Sequence, residues 1–335
     1  MITREFKHYD LNEVFFPVEE QPIGTVSRNG TVKHIPGYKA IVERNTGRTF
    51  SVVSNKYRLI HNREAFAMAD YVVREVFEDK TLNDFICYNV LMPYTKGSCR
   101  IDMIIPNNFN RLFGNETESY TPFVRISNSY NRTTTLRFEI GFCRWICKNG
   151  VIFGEMGFNF SVSHTDNFNF RDFEQLASKA RKQIGSVGSL WAAFEQKMSV
   201  LKDISVPASL VLPLYCKAFD ILVDTRKVTS SQMFSHARRA KQVVAASKDY
   251  FHDLGPNAYA LMNVMTDTAS FPEWTTNPSN HVDGYQRRVG RWVDNLIEES
   301  HRINFTISDY IDPEYQASAD YLESLITEKT DGVLL

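Results

Sequence analysis

Along the first half of the chain apolar and polar residues alternate with a period of two, and after Phe170 the spacing lengthens to about 3.6, so strands are expected first and helices afterwards. SRNGTVKH contains Asn29-Gly30, which predicts a hairpin whose two turn residues adopt positive φ. GYKAIVER and RTFSVVSN meet at Asn45-Thr46-Gly47 and predict a second. Asn62 is the expected N-cap of a helix carrying Phe66, Ala69, Val73 and Phe77. FICYNVLMPY and CRIDMIIP follow as two more strands. Val124 and Ile126 then alternate with Arg125 and Ser127, which predicts one buried and one polar side, and Leu136, Phe138, Ile140 and Phe142 form the apolar side of a returning strand opposite Arg137, Glu139 and Cys143. Lys148-Asn149-Gly150 is the next turn, and VIFG and FNFSVSH continue the meander.

In the second half Phe173, Leu176, Ala180, Ile184, Val187, Trp191, Phe194, Met198 and Leu201 predict one long amphipathic helix. Further helices are expected in ASLVLPLYCKAFDILV, in QMFSHARRAKQVVAASKDYFHDL capped by Ser230 or Ser231, in NAYALMNVMTDTAS, in GYQRRVGRWVDNLIEESHR and in ADYLESLITE. FPEWTTNPSNHVDG is a loop. Strands in a run followed by helices in a run define an α+β fold: a β-rich domain over 1–165 with hairpins and one helix, and a mainly helical region over 166–335 packed on or beside the sheet.

Composition adds limits. With 335 residues, 43% hydrophobic and 23% charged, the chain has the balance of a water-soluble globular protein. No uncharged apolar run approaches the roughly 18 residues of a membrane span, so a cytoplasmic protein without membrane contact is expected. The five cysteines, Cys87, Cys99, Cys143, Cys147 and Cys216, are scattered through apolar segments and suit reduced, buried thiols. Net charge is −1, but the charges are unevenly placed. Thr121 to Gly150 carries Arg125, Arg132, Arg137, Arg144 and Lys148 against Glu139 alone, and Arg226 to Lys248 carries six cations and no carboxylate. Ile303 to Leu335 is the reverse, with seven acidic residues against Lys329 alone.

No phosphate loop, dinucleotide fingerprint or nucleophile elbow occurs, so no catalytic residue is nominated and a non-enzymatic role is favoured. His164-x-Asp166 and His281-x-Asp283 are the metal candidates, yet both aspartates also suit turn caps, and no metal or cofactor is expected. The cations are the remaining signal. Arginine offers a planar fork to phosphate and aromatics offer stacking faces to unpaired bases. Arg125, Arg132, Arg137, Arg144 and Lys148, with Tyr130 and Trp145 to stack, are the expected nucleic-acid-binding residues, supported by Arg238, Arg239 and Lys241. The expected partner is single-stranded nucleic acid, held by a homo-oligomer; a protein-interaction module that binds a host protein in defence or anti-defence, or a metal-dependent enzyme built on the two His-x-Asp pairs, are the alternatives.

The order of SVVSNKYRLIHNREAFAMAD, then VRISNSYNRTTTLRFEIGFCRWICKNGVI, then ALMNVMTDTAS with GRWVDNL, resembles the phage- and plasmid-encoded family known as domain of unknown function nine-three-two, typified by uncharacterised prophage proteins. The similarity runs from about Tyr38 to about Leu296. Its middle element is carried here by Asn128, Ser129, Tyr130, Gly141, Arg144, Cys147, Asn149 and Gly150. The resemblance implies an accessory protein of a mobile element, acting in recombination, replication or conflict with the host, and it brings no catalytic residues. A fainter likeness, of architecture alone, is to the ring-forming single-strand annealing proteins of phages.

Overall fold

The computed structural model describes residues 9–77, 80–106, 110–153, 160–165, 174–175, 178, 181–182, 187–275 and 281–327. The first hairpin forms where Asn29-Gly30 predicts it, between β1 (Val18–Val26) and β2 (Val32–Glu43). Its turn differs from the expected one. Of the two residues only Gly30 has positive φ (83°), and the loop is closed by the Ser27 amide donating to the Thr31 carbonyl at 2.9 Å. β3 (Thr49–Ser54) returns through Gly47 (φ 70°) and completes a sheet of order β1-β2-β3. The register of β1 shifts at a bulge between Pro22 and Gly24, and beyond it Val26 and Val32 are 71% and 68% exposed.

Helix α1 (Asn62–Val76) starts one residue earlier than predicted, with His61 as its N-cap. Asn62 is buried instead of capping. Its side chain donates to the Val14 carbonyl (3.0 Å) and accepts from Asn128 (3.0 Å), while its amide donates to the Tyr130 hydroxyl (2.9 Å). The helix start is therefore tied to the larger sheet by hydrogen bonds between buried groups that would otherwise be costly to desolvate.

That sheet contains β4 (Ile86–Leu91), β5 (Ser98–Ile104), β6 (Asn110–Arg111), β7 (Ser119–Ser129), β8 (Leu136–Arg144), β9 (Gly150–Val151) and β10 (Phe160–Val162). Its order is β10-β8-β7-β5-β4, with β6 on β7 and β9 on β8. Antiparallel register sets Arg125 opposite Asp102 on one neighbour and Glu139 on the other, so the three project from the same side. The side predicted to be polar is not solvated. Every residue of β7 is buried.

The helices that follow are α2 (Val187–Asp203), α3 (Val211–Phe219), α4 (Ser230–Leu254), α5 (Ala258–Ser270), α6 (Val282–Ser300) and α7 (Pro313–Thr327). α2 is the later part of the long helix expected from Phe173; Phe173, Leu176, Ala180 and Ile184 lie outside the described residues. α3 stops at Asp220 in the left-handed conformation (φ 53°), short of the predicted end. The cap of α4 is Thr229, in a reciprocal box with Gln232, not Ser230 or Ser231. α6 and α7 begin earlier than expected, at Val282 and Pro313.

The mixed α+β class is as the sequence indicates, and the strands and helices share one core. Cys99, Ile101, Val124, Ile126, Phe138 and Phe142 on one side of the sheet join α1 and the later helices in a single apolar cluster, where Phe142 stacks on Phe194 of α2 at 4.2 Å. On the other side α6 approaches so closely that a Cβ on Gly290 would collide with the Ile152 carbonyl. Only glycine allows that contact. All five cysteines are free and buried, in line with their apolar surroundings.

Candidate functional site

The cover supplied by α6 decides the fate of Arg125. Its guanidinium is fully buried and meets the Asp102 carboxylate through two bonds of 2.6 Å, Asp283 at 2.9 Å and Gln286 at 2.7 Å. Arg287, one turn along α6 from Asp283, grips Glu139 with both terminal nitrogens and also reaches Asp283 at 3.1 Å. Arg100 adds a further pair to Asp283 at 3.3 Å. Three guanidiniums thus face three carboxylates between sheet and helix. Burial pushes the Asp283 carboxyl up, but Arg125, Arg287 and Arg100 outweigh it and hold it well below the usual carboxylate range. The expectation that Arg125 contacts phosphate is corrected by this geometry: its donors are already matched by carboxylates, and no solvent reaches them.

Arg144 is corrected for a related reason. It is 1% exposed, donating to Asn263 on α5 (3.4 Å) and to the Thr117 carbonyl (3.2 Å). Two segments that carry the family resemblance meet here. With its amide nitrogen toward Asp267 (3.1 Å) and the Cys147 carbonyl (3.2 Å), Asn149 accepts from the Tyr250 hydroxyl at 2.8 Å, which satisfies both ends of the amide. The Gly150 amide donates to Ser270 at 3.1 Å, and the Tyr120 hydroxyl donates to Asn263 at 3.2 Å. The Arg-x-x-Cys-x-Asn-Gly residues are therefore the sheet's half of a buried polar seam, and ALMNVMTDTAS is the helical half.

Tyr130 is likewise enclosed. At 1% exposure its ring stacks on Phe50 at 5.4 Å, so it offers no free face to a base. Trp145 is half-buried against the satellite cluster around Phe123, with Lys148 4.9 Å above its ring. Burial lowers the Lys148 ammonium to about 8. Arg137 is half-buried and only Arg132, in the turn with φ 65°, is exposed, so the predicted meander surface does not assemble.

The helical cations behave differently. Arg238 and Lys241 are exposed, three residues apart on the outer side of α4. Arg239 turns inward, 4.3 Å above Trp274, and donates to the Tyr285 hydroxyl at 3.0 Å, while His281 stacks on Tyr285 at 5.7 Å. Tyr285 lies on α6, and the same side of that helix presents Arg288 and Arg291, both exposed. Neither is among the residues nominated from the sequence. The signal is legible in QRRVGRW, where they fall opposite buried Val289 and Val293.

The metal candidates do not converge on the described residues. His164 stacks on Tyr57 at 5.0 Å, His281 on Tyr285, and Asp283 is committed to three arginines; Asp166 lies outside the described residues. Among the described residues no three His, Cys, Asp or Glu side chains come together as a metal site.

Fold and seam together define a mixed α+β protein in which polar struts lock a helical layer onto both sides of an antiparallel sheet. Residues 49–270 match the family described as domain of unknown function DUF932, and the chain belongs to it. The match covers the inner part of the span from Tyr38 to Leu296 and includes the seam from Arg144 to Ser270. No curated protein and no solved structure shows significant similarity. Among the described residues no helix is long and apolar enough to cross a membrane.

Proposed function

We propose that the protein is a nucleic-acid-binding accessory protein of a mobile genetic element, which holds single strands on the helical side of the molecule. One observation carries this reading. Arg238, Lys241, Arg288 and Arg291 are exposed on α4 and α6, and among the described residues none has a carboxylate partner. Several other exposed arginines are matched, as in Arg44 with Glu19 (2.7 Å), Arg74 with Asp70 (2.7 Å) and Arg111 with Glu116 (2.9 Å), whereas these four cations share two helices. Unmatched cations supply backbone charge, and half-buried Tyr285 and His281 beside Arg239 supply ring edges.

The reading moves the contact surface off the sheet. Arg238, Lys241, Arg288 and Arg291 take the phosphates, Tyr285 and His281 offer ring edges, and Arg132 is at most peripheral. The phage and plasmid setting suggested by the family resemblance supports handling of DNA, and a homo-oligomer would lay several such surfaces along one strand. Fluorescence anisotropy with a 5′-hydroxyl oligonucleotide at two salt concentrations tests it. Binding at low salt that weakens as salt rises, with a shallower slope in Arg238→Gln/Lys241→Gln, is expected. Absence of binding at low salt, or an unchanged slope in the variant, overturns it.

A further inference from the structure

Past the bulge at Pro22 and Gly24, β1 and β2 continue as a two-stranded arm. β3 pairs with β2 only from Tyr38 to Val42, whereas Gly24 with His34, Thr25 with Lys33 and Val26 with Val32 pair across the arm itself. Every residue from Gly24 to His34 is exposed, so neither side of the ribbon rests on the body of the protein. A sheet normally buries at least one side, and a bare hairpin is marginal in water. This one is tied at its turn: the Ser27 hydroxyl and amide contact the Thr31 carbonyl, both at 2.9 Å, and Asn29 accepts from the Thr31 amide at 3.2 Å. At its root the strands approach so closely that a Cβ on Gly24 would lie 2.9 Å from the Lys33 carbonyl. The arm keeps its shape without a core behind it.

Its side chains are of two kinds. Val26 and Val32 form a water-facing apolar pair on one side, while Lys33 on the other side and Arg28 in the turn carry charge. No Asp or Glu occurs between Glu20 and Glu43, and neither Arg28 nor Lys33 has an ion pair or hydrogen bond among the described residues. Lys39, nearer the body, is matched by Glu20 at 2.8 Å, so the unmatched charge is confined to the outer part of the arm. A cationic ribbon with apolar residues at its end is complementary to a groove whose rims are anionic and whose floor carries methyl groups. The dimensions agree. Three residue pairs at about 3.4 Å each reach about 10 Å beyond the bulge, and the major groove of B-form DNA, about 12 Å wide and about 8.5 Å deep, admits a two-stranded ribbon.

We propose that the β1–β2 arm enters the major groove of double-stranded DNA, with Arg28 and Lys33 on the phosphates and Val26 and Val32 toward the base edges. This goes beyond the strand-binding reading and shares neither its residues nor its single-stranded ligand. Anisotropy of a labelled DNA duplex over a series of salt concentrations, with the full chain and with Arg28→Gln/Lys33→Gln, tests it; both side chains are exposed, so the variant keeps its fold. Duplex binding is expected to be about tenfold weaker in the variant, with a log–log salt slope shallower by about 2. No duplex binding, unchanged affinity in the variant, or equal binding of duplex RNA, whose deep and narrow major groove excludes side chains, overturns the proposal. An arm variant that lowers the sedimenting mass while leaving duplex binding intact shows that the arm clasps a second copy of this chain, and the proposal fails. The 5′-hydroxyl single strand keeps the two readings apart: its binding should be unchanged in Arg28→Gln/Lys33→Gln and weaker in Arg238→Gln/Lys241→Gln, so either surface can fail while the other stands.

Discussion

The strand pair β7–β8 and the helix pair α4–α6 are both rich in arginine, and they place it in opposite environments. Arg125 and Arg144 lie inside, directed at carboxylate, amide and carbonyl oxygens, while Arg238, Arg288 and Arg291 point outward with no carboxylate partner among the described residues. The contrast shows that local charge density says little about purpose. What matters is whether an acid arrives from elsewhere in the chain, and Asp283 arrives from 158 residues away.

Several substitutions break or sharpen that contrast. The largest effect is expected for Arg125→Met, which leaves Asp102 and Asp283 buried without their main partner: a loss of about 3–5 kcal/mol in denaturant unfolding, against a change within about 0.5 kcal/mol for Arg238→Gln. A loss for Arg125→Met as small as that for Arg238→Gln would erase the distinction between inner and outer arginines. Gly290→Ala should cost about 1–3 kcal/mol, because the added methyl must push α6 away from the Ile152 carbonyl, and thermal unfolding measures it.

The acid limb is the next test. Asp283 is held low in the folded protein, so its stabilising contribution is complete above the ordinary carboxylate value near about 4 and is lost as pH falls toward the folded value. The stability gap between the protein and Asp283→Asn should therefore narrow below that pH, as seen by unfolding in a pH series. Lys148 gives the smallest effect, of opposite kind. With its ammonium at about 8, the unfolded chain holds the proton more tightly, so stability relative to Lys148→Met should rise between pH 8 and the ordinary lysine range near about 10.

Much of the sheet is legible in the sequence. The alternation through Val124 and Ile126 places Arg125 and Glu139 on the side away from the apolar core, and the register agrees. The burial of that second side is not legible, because strands covered on both sides usually read as continuous apolar runs, whereas here the second side carries Arg125 and Glu139, whose partners arrive from α6. Tyr130 and Arg144 escape a local reading on the same account: their partners, Asn62 and Asn263, lie 68 and 119 residues away. The exposed pair Arg238 and Lys241 is readable because helical spacing alone assigns them to the outer side of α4. Arg288 and Arg291 carry the same signal in QRRVGRW. The early start of α6 leaves no such trace, since His281 precedes it without any side-chain capping bond, and capping residues are what mark a helix start in a sequence.

β1 forms the rim of its sheet, yet Pro22 brings no N–H to that rim and the irregularity at Gly24 interrupts the backbone spacing. A foreign strand docking along it would find a broken row of partners. The water-facing valines at the tip, Val26 and Val32, thus border an edge that makes a poor template for a further strand.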